Sequence, residues 1–128
     1  MTSFSSQITF LNFRDYNLGK HFASQILNLK EVYDIGWAVV YQTGRMAFLG
    51  IVDHSARQDE SVKTGMLISL TTDQIEAWHA HISRFLQVSP IREIPDAGLK
   101  SFFFAGPEGY QFEIQQFMLP EAKEIFHS

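Results

Sequence analysis

Apolar and polar residues along this chain follow two periods, and one succession of them occurs twice. Ile8–Phe13 alternates with a period of two, as a half-buried strand does. A polar break at residues 14–17 separates it from Leu18, Phe22, Ile26 and Leu29, which are spaced for one face of a helix. Three strand-like runs follow: a short one around Glu31–Tyr33, then Trp37–Gln42 and Met46–Val52, with Thr43-Gly44 as the tight turn between the last two. The stretch DHSARQDESVKT from Asp53 to Thr64 is polar and charged and reads as a linker. The succession then restarts with strand Gly65–Leu70. Asp73 and Glu76, spaced as a capping box, open a helix whose buried stripe is Ile75, Trp78, His79, Ile82 and Leu86. Strands near Ile91–Ile94, Lys100–Phe104 and Gln111–Phe117 complete it.

The chain therefore reads as two tandem βαβββ units, their first strands about 57 residues apart. Module one spans 7–53, a linker 54–64, module two 65–118 and a tail 119–128, all in one domain, as the length of 128 residues suggests. In the tail, Leu119–Ser128 has the pattern of a short amphipathic helix with Ile125 and Phe126 as its apolar contacts.

The run Phe102–Phe117, FFFAGPEGYQFEIQQF, is the most specific stretch. Pro107 presets the second position of a type I turn and Gly109 supplies the left-handed residue that closes a bulged hairpin. Past the turn, alternation puts Gln111, Glu113 and Gln115 on one strand face and Phe112, Ile114 and Gln116 on the other. An acid flanked by two amides on one face points to a cavity with a polar floor.

Composition removes several function classes. The net charge is −4 and the ten Lys and Arg are scattered singly, so no basic footprint for nucleic acid exists. The absence of cysteine excludes disulfides, thiolate metal sites and thiol nucleophiles, and fits a reducing cytoplasm. The N-terminus MTSFSSQITF lacks the pattern of a signal peptide and no run approaches a membrane span, so a cytoplasmic protein with no membrane partner is expected.

The duplicated plan and the ending FFFAGPEGYQFEIQQF resemble the vicinal oxygen chelate superfamily, which holds glyoxalases, bleomycin resistance proteins and extradiol dioxygenases. Phe102, Gly106, Pro107, Glu108, Gly109, Phe112 and Glu113 match its closing phrase, F-x-x-x-D-P-D-G-x-x-I-E. Asp15, Phe22, Leu27 and Leu29 match its first strand-to-helix phrase, with Asn28 in place of the usual glycine as a left-handed helix cap. The resemblance implies an α+β fold, a cup-shaped mixed-sheet half-barrel with helices outside, a small-molecule site within, and a homodimer.

It also implies a divalent metal held by the first and last strands of each module. Glu113 matches the fourth ligand. The first-strand position falls on Ile8, or on Gln7 after a slip of one residue. The last strand of module one offers Phe48 or Gly50, and the fifth strand Gly65 or Met66. Such a site needs three or more protein ligands and this set offers one or two, so no cofactor is expected. Among the histidines, His21 and His79 fall on the outer helices, His81 points away from the apolar stripe and His127 lies in the tail. Asp53-His54 is the one substitute pair for an unconventional site.

Glu113 reads as metal ligand, general base or anchor for a cationic group; against these stands an acid merely hydrogen-bonded to Gln111, Gln115 or Arg45. With Ile8 facing inward, Phe10 and Asn12 share its face, Leu67 and Ser69 do so in module two, and Trp37, Val39 and Tyr41 share one face of the third strand. Phe48, Phe102 and Phe104 are further lining candidates for an aromatic cavity that suits a planar or cationic ligand.

Three readings compete. The first is a metal-free small-molecule binder similar to the antibiotic-sequestering, bleomycin-resistance branch. The second is a metalloenzyme similar to lactoylglutathione lyase, with Glu113 catalytic. The third is a catalytically inert structural or regulatory dimer. The first alone accounts for absent ligands together with retained aromatics.

Overall fold

The computed structural model describes residues 3–55 and 66–127, which fall into two compact units. Each is a βαβββ module with a four-stranded mixed sheet, and together they make the expected α+β fold. Most of the predicted linker, and Gly65, lie outside the described residues.

Module one contains β1 (Gln7–Phe13), α1 (Tyr16–His21), β2 (Lys30–Asp34), β3 (Ala38–Gly44) and β4 (Ala47–Asp53), with sheet order β1-β4-β3-β2. β1 runs parallel to β4, and the other neighbours are antiparallel. Asp15 caps α1 by accepting the Leu18 N–H at 3.0 Å. The helix continues as a π-helical turn over Phe22–Ile26, which rotates its buried stripe. Gly19, Phe22, Ala23, Ile26 and Leu27 face the sheet, while Leu18, expected in the stripe, is 41% exposed. Gly19 is needed there, since a Cβ at 19 would lie 2.7 Å from the Phe13 ring and 2.8 Å from Ile51. Asn28 takes the expected left-handed conformation at φ 54°. The turn between β3 and β4 falls on Arg45-Met46 rather than Thr43-Gly44, because Gly44 still pairs with Ala47 in the ladder.

Module two contains β5 (Ile68–Thr71), α2 (Ile75–Ile82), β6 (Arg92–Ile94), β7 (Leu99–Ala105), β8 (Gln111–Phe117) and α3 (Pro120–Phe126), with sheet order β5-β8-β7-β6. The predicted fifth strand is shorter than expected, and Met66 and Leu67 precede it. The expected capping box does not form. α2 starts after Gln74, and its Ile75 N–H is satisfied by Gln116 Oε1 of β8 at 3.2 Å, so a strand amide caps the helix in place of Asp73. Glu76 instead faces Lys100 of β7 at 3.8 Å. In the β7–β8 hairpin the left-handed conformation begins one residue early, at Glu108 (φ 61°), and continues through Gly109.

Register sorts the side chains. In module one Leu11, Phe13, Val39, Tyr41, Leu49 and Ile51 lie on the face under α1, all buried. In module two Phe102, Phe104, Phe112 and Ile114 do the same beneath α2, where the His79 ring meets Phe102 edge-on with centroids 4.9 Å apart. The remaining sheet face of each module, called here its far face, carries the candidate chemistry.

Candidate functional site

The far face of module two is polar where a strand interior is usually apolar. β8 presents Gln111, Glu113, Gln115 and Phe117 to it. β5 presents Ser69 directly opposite Glu113, and β7 presents Phe103 opposite Glu113 and Ser101 opposite Gln115. Glu113 is 7% exposed and Ser101 1% exposed, the two buried polar residues among those described. Glu113 has no hydrogen-bond or ion-pair partner among the described residues, and neither amide neighbour nor Arg45 supplies one. The Ser101 Oγ is likewise buried without a partner. A buried polar atom lacking a partner costs roughly 1–3 kcal/mol, so the Ser101 Oγ calls for something to complete it, while the Glu113 carboxylate on the same face, 7% exposed, keeps a narrow opening to solvent.

Ser69, Gln111 and Glu113 thus share a face as expected from the sequence. Phe102 and Phe104 do not. They sit in the core under α2, at 0% and 4% exposure, and the aromatic on the far face is Phe103, 41% exposed. Three successive phenylalanines gave alternation nothing to work on. The informative residue was Ser101, which shares the parity of Phe103 and breaks the apolar run.

The C-terminal helix also reaches this face. The Phe126 ring stacks on Phe117 with centroids 4.5 Å apart, the Thr71 hydroxyl donates to the Phe126 carbonyl at 3.3 Å, and the Phe117 N–H donates to His127 Nε2 at 3.0 Å. Phe126 makes its expected contact, whereas Ile125 stays 70% exposed. His127, read as a tail residue, is the acceptor that fastens α3 beside β8.

On module one, Phe10, Asn12 and Phe48 share the far face with Ile8, as anticipated. Gly50 lies directly opposite Phe10, and a Cβ there would meet the Phe10 ring, 2.6 Å from Cε1 and nearer still to Cδ1. The aromatic ring therefore occupies the space a side chain at 50 would need. Tyr41 lies on the other face, 2% exposed under α1, where burial first and the charge of Glu31 second push its phenol up to about 12. It is a core residue here and not a cavity wall, because its alternation partner Val39 packs beneath the helix. Trp37 precedes β3 rather than starting it; it is 39% exposed and its carbonyl accepts the Asp53 N–H at 2.9 Å.

Among the described residues the metal that the resemblance implies has no fitting donor set. Gln7 lies on the opposite face of β1 from Ile8, Phe10 and Asn12, since the slip that would turn it round does not occur. Phe48 has no donor atom, and Gly50 has neither a side chain nor room for one. Asp53 accepts from the Ser55 N–H and hydroxyl at 3.0 and 2.7 Å, so the Asp53-His54 pair belongs to a turn. Among the described residues no three His, Cys, Asp or Glu stand together in a way that would hold an ion. His79, whose Nε2 lies 2.9 Å from the Ser89 carbonyl, is occupied elsewhere.

No family model and no curated protein matches the chain. Solved structures do. The chain is similar to an antibiotic binding protein from a Streptomyces species, at 18% identity and a TM-score of 0.73 over 91% of this chain and 98% of that one. It is similar to a glyoxalase/bleomycin resistance protein/dioxygenase from Nocardioides, at 13% identity and a TM-score of 0.70 over 94% and 87% of the two chains. A lactoylglutathione lyase from Agrobacterium tumefaciens superposes with a TM-score of 0.68 at 15% identity, over 86% and 91%. Near-complete coverage in both directions spans both βαβββ modules, and the chain has the glyoxalase/bleomycin-resistance fold, that of the vicinal oxygen chelate superfamily.

Proposed function

We propose that this protein binds a small organic cation without a metal, with Glu113 as the anchoring charge. The observation that carries the reading is a carboxylate 7% exposed, on a sheet face, with no partner among the described residues and no donor set that would make it a metal ligand. A carboxylate in such a place is completed by a positive or hydrogen-bond-donating group from outside, and low local polarity strengthens that interaction. Phe103, exposed on the same face beside Glu113, adds a ring against which a planar or cationic group packs. Similarity to an antibiotic binding protein supports sequestration over turnover, although one fold hosts many activities. The reading also takes the protein to be a cytoplasmic homodimer. Among the described residues no helix is long and apolar enough to cross a membrane.

The test compares phenyltrimethylammonium with its neutral isostere tert-butylbenzene by calorimetry, in the parent and in Glu113→Gln. The cation should bind the parent in preference to the isostere, and the preference should vanish in the variant. Equal binding of both by the parent, or Glu113-dependent retention of stoichiometric nickel, zinc, manganese or iron(II) after desalting, would overturn the reading.

A further inference from the structure

Glu113 is not alone in lacking a partner on its face. Ser101, on the adjacent antiparallel strand, pairs with Gln115, which places it diagonally across from Glu113 on the same side of the sheet. Diagonal neighbours in a sheet have Cα atoms about 7–8 Å apart, with side chains converging somewhat nearer. No hydrogen bond joins the hydroxyl to the carboxylate, and the Ser101 Oγ bonds nothing else among the described residues. Ser69 stands directly opposite Glu113 on the other flank, its side chain exposed.

From this arrangement we infer that the site selects a planar group with several N–H donors, an amidinium or guanidinium, bridging the Glu113 carboxylate and the Ser101 Oγ. The inference rests on Glu113 being a cation anchor and adds the chemistry of the cation. A carboxylate accepts two N–H bonds from one edge of such a group, and the fork leaves a further N–H for a second acceptor. A serine hydroxyl accepts as readily as it donates, so Ser101 meets that need. A quaternary ammonium satisfies the charge of Glu113 and offers Ser101 nothing, leaving its hydroxyl buried and unpaired as before. Sites built to hydrogen-bond a ligand reject analogues lacking the group far more strongly than apolar pockets reject a change of size. Ser101 is therefore a specificity residue, and it belongs to no motif.

Benzamidine and benzyltrimethylammonium carry the same ring and the same charge and differ in N–H donors. Calorimetric titration of both into the parent, Ser101→Ala and Glu113→Gln reads the inference directly. In the parent benzamidine should bind at least about tenfold tighter, equivalent to about 1.4 kcal/mol. Ser101→Ala should remove most of that preference while leaving benzyltrimethylammonium unchanged, and Glu113→Gln should weaken both. The melting temperature of Ser101→Ala should equal or exceed the parent's, since the change removes an unsatisfied hydroxyl. Equal binding of the two cations by the parent, with both dependent on Glu113, would overturn the role of Ser101 and leave the anchor standing. An equal loss of both in Ser101→Ala would mean that the residue shapes the face and does not read donors. Failure of the parent to bind either cation would overturn the anchor as well.

Discussion

Replacing Gly50 by alanine tests how the far face of module one is built. The new Cβ would lie 2.6 Å from Phe10 Cε1, with Cδ1 nearer still, so the ring must leave. Two effects oppose each other. Alanine in a strand interior is favoured over glycine by roughly 0.5–1 kcal/mol, because glycine loses more freedom on folding. Inserting a methyl group into occupied space costs about 1–3 kcal/mol. Phe10 is 49% exposed, so its ring has room to swing outward and the cost stays within that range. Gly50→Ala should therefore destabilise the parent by up to about 2 kcal/mol. In a Phe10→Ala background the obstacle is gone and the same change should stabilise by roughly 0.5–1 kcal/mol. The coupling between the two sites is then about 1–3 kcal/mol, well above the scatter of roughly 0.3–0.5 kcal/mol seen for independent sites. Urea unfolding of the four proteins measures it. An effect of Gly50→Ala that is the same in both backgrounds would refute the idea that the ring occupies the place of a side chain at 50.

Three further outcomes follow from the geometry. Tyr41 keeps its proton up to about pH 12, whereas an unfolded tyrosine ionises near 10. The folded state thus holds the extra proton between these values, and stability fully present below pH 10 should fall by about 1.4 kcal/mol per pH unit until about 12; chemical denaturation at pH 9 and 11.5 checks this, and Tyr41→Phe should flatten the slope. Gln116→Ala removes the acceptor for the Ile75 N–H and should cost about 1 kcal/mol, against at most about 0.5 for Asp73→Ala, as read by thermal melts. His127→Ala removes the acceptor for the Phe117 N–H, so hydrogen exchange at that amide should quicken about tenfold or more while the Phe112 amide is unchanged; equal protection in both proteins would show that the imidazole does not fasten α3.

The legible parts of the fold are those governed by local physics. Alternation located β8 over the residues it occupies, Gln111–Phe117, and placed Gln111, Glu113 and Gln115 on one side of it. The left-handed residue at 28 was expected from the family phrase that Asp15, Phe22, Leu27 and Leu29 match, in which Asn28 stands for a glycine cap. Misplaced features were those where a distant residue intervened. The sequence offers Asp73 as a cap, but Gln116, forty-one residues after Ile75, takes the role because β8 runs beneath the start of α2. Tyr41 and Phe10 are both aromatic strand residues, and alternation alone cannot say which faces the helix. That depended on α1 settling over Phe13 and Ile51 through Gly19. Leu18 turned outward for the same reason, since packing set the final rotation of the helix.

By itself, then, the sequence determined the two βαβββ units and the far-face series around Glu113, because periodicity and residue chemistry are carried by neighbours in the chain. Tertiary structure decided that Ser101 lies diagonal to Glu113, that the Phe10 ring fills the place beside Gly50, and that α3 fastens onto β8 through Phe126 and His127. Those relations join strands and helices whose registers are fixed only when whole faces are buried together, and a slip of one residue would have reversed each of them.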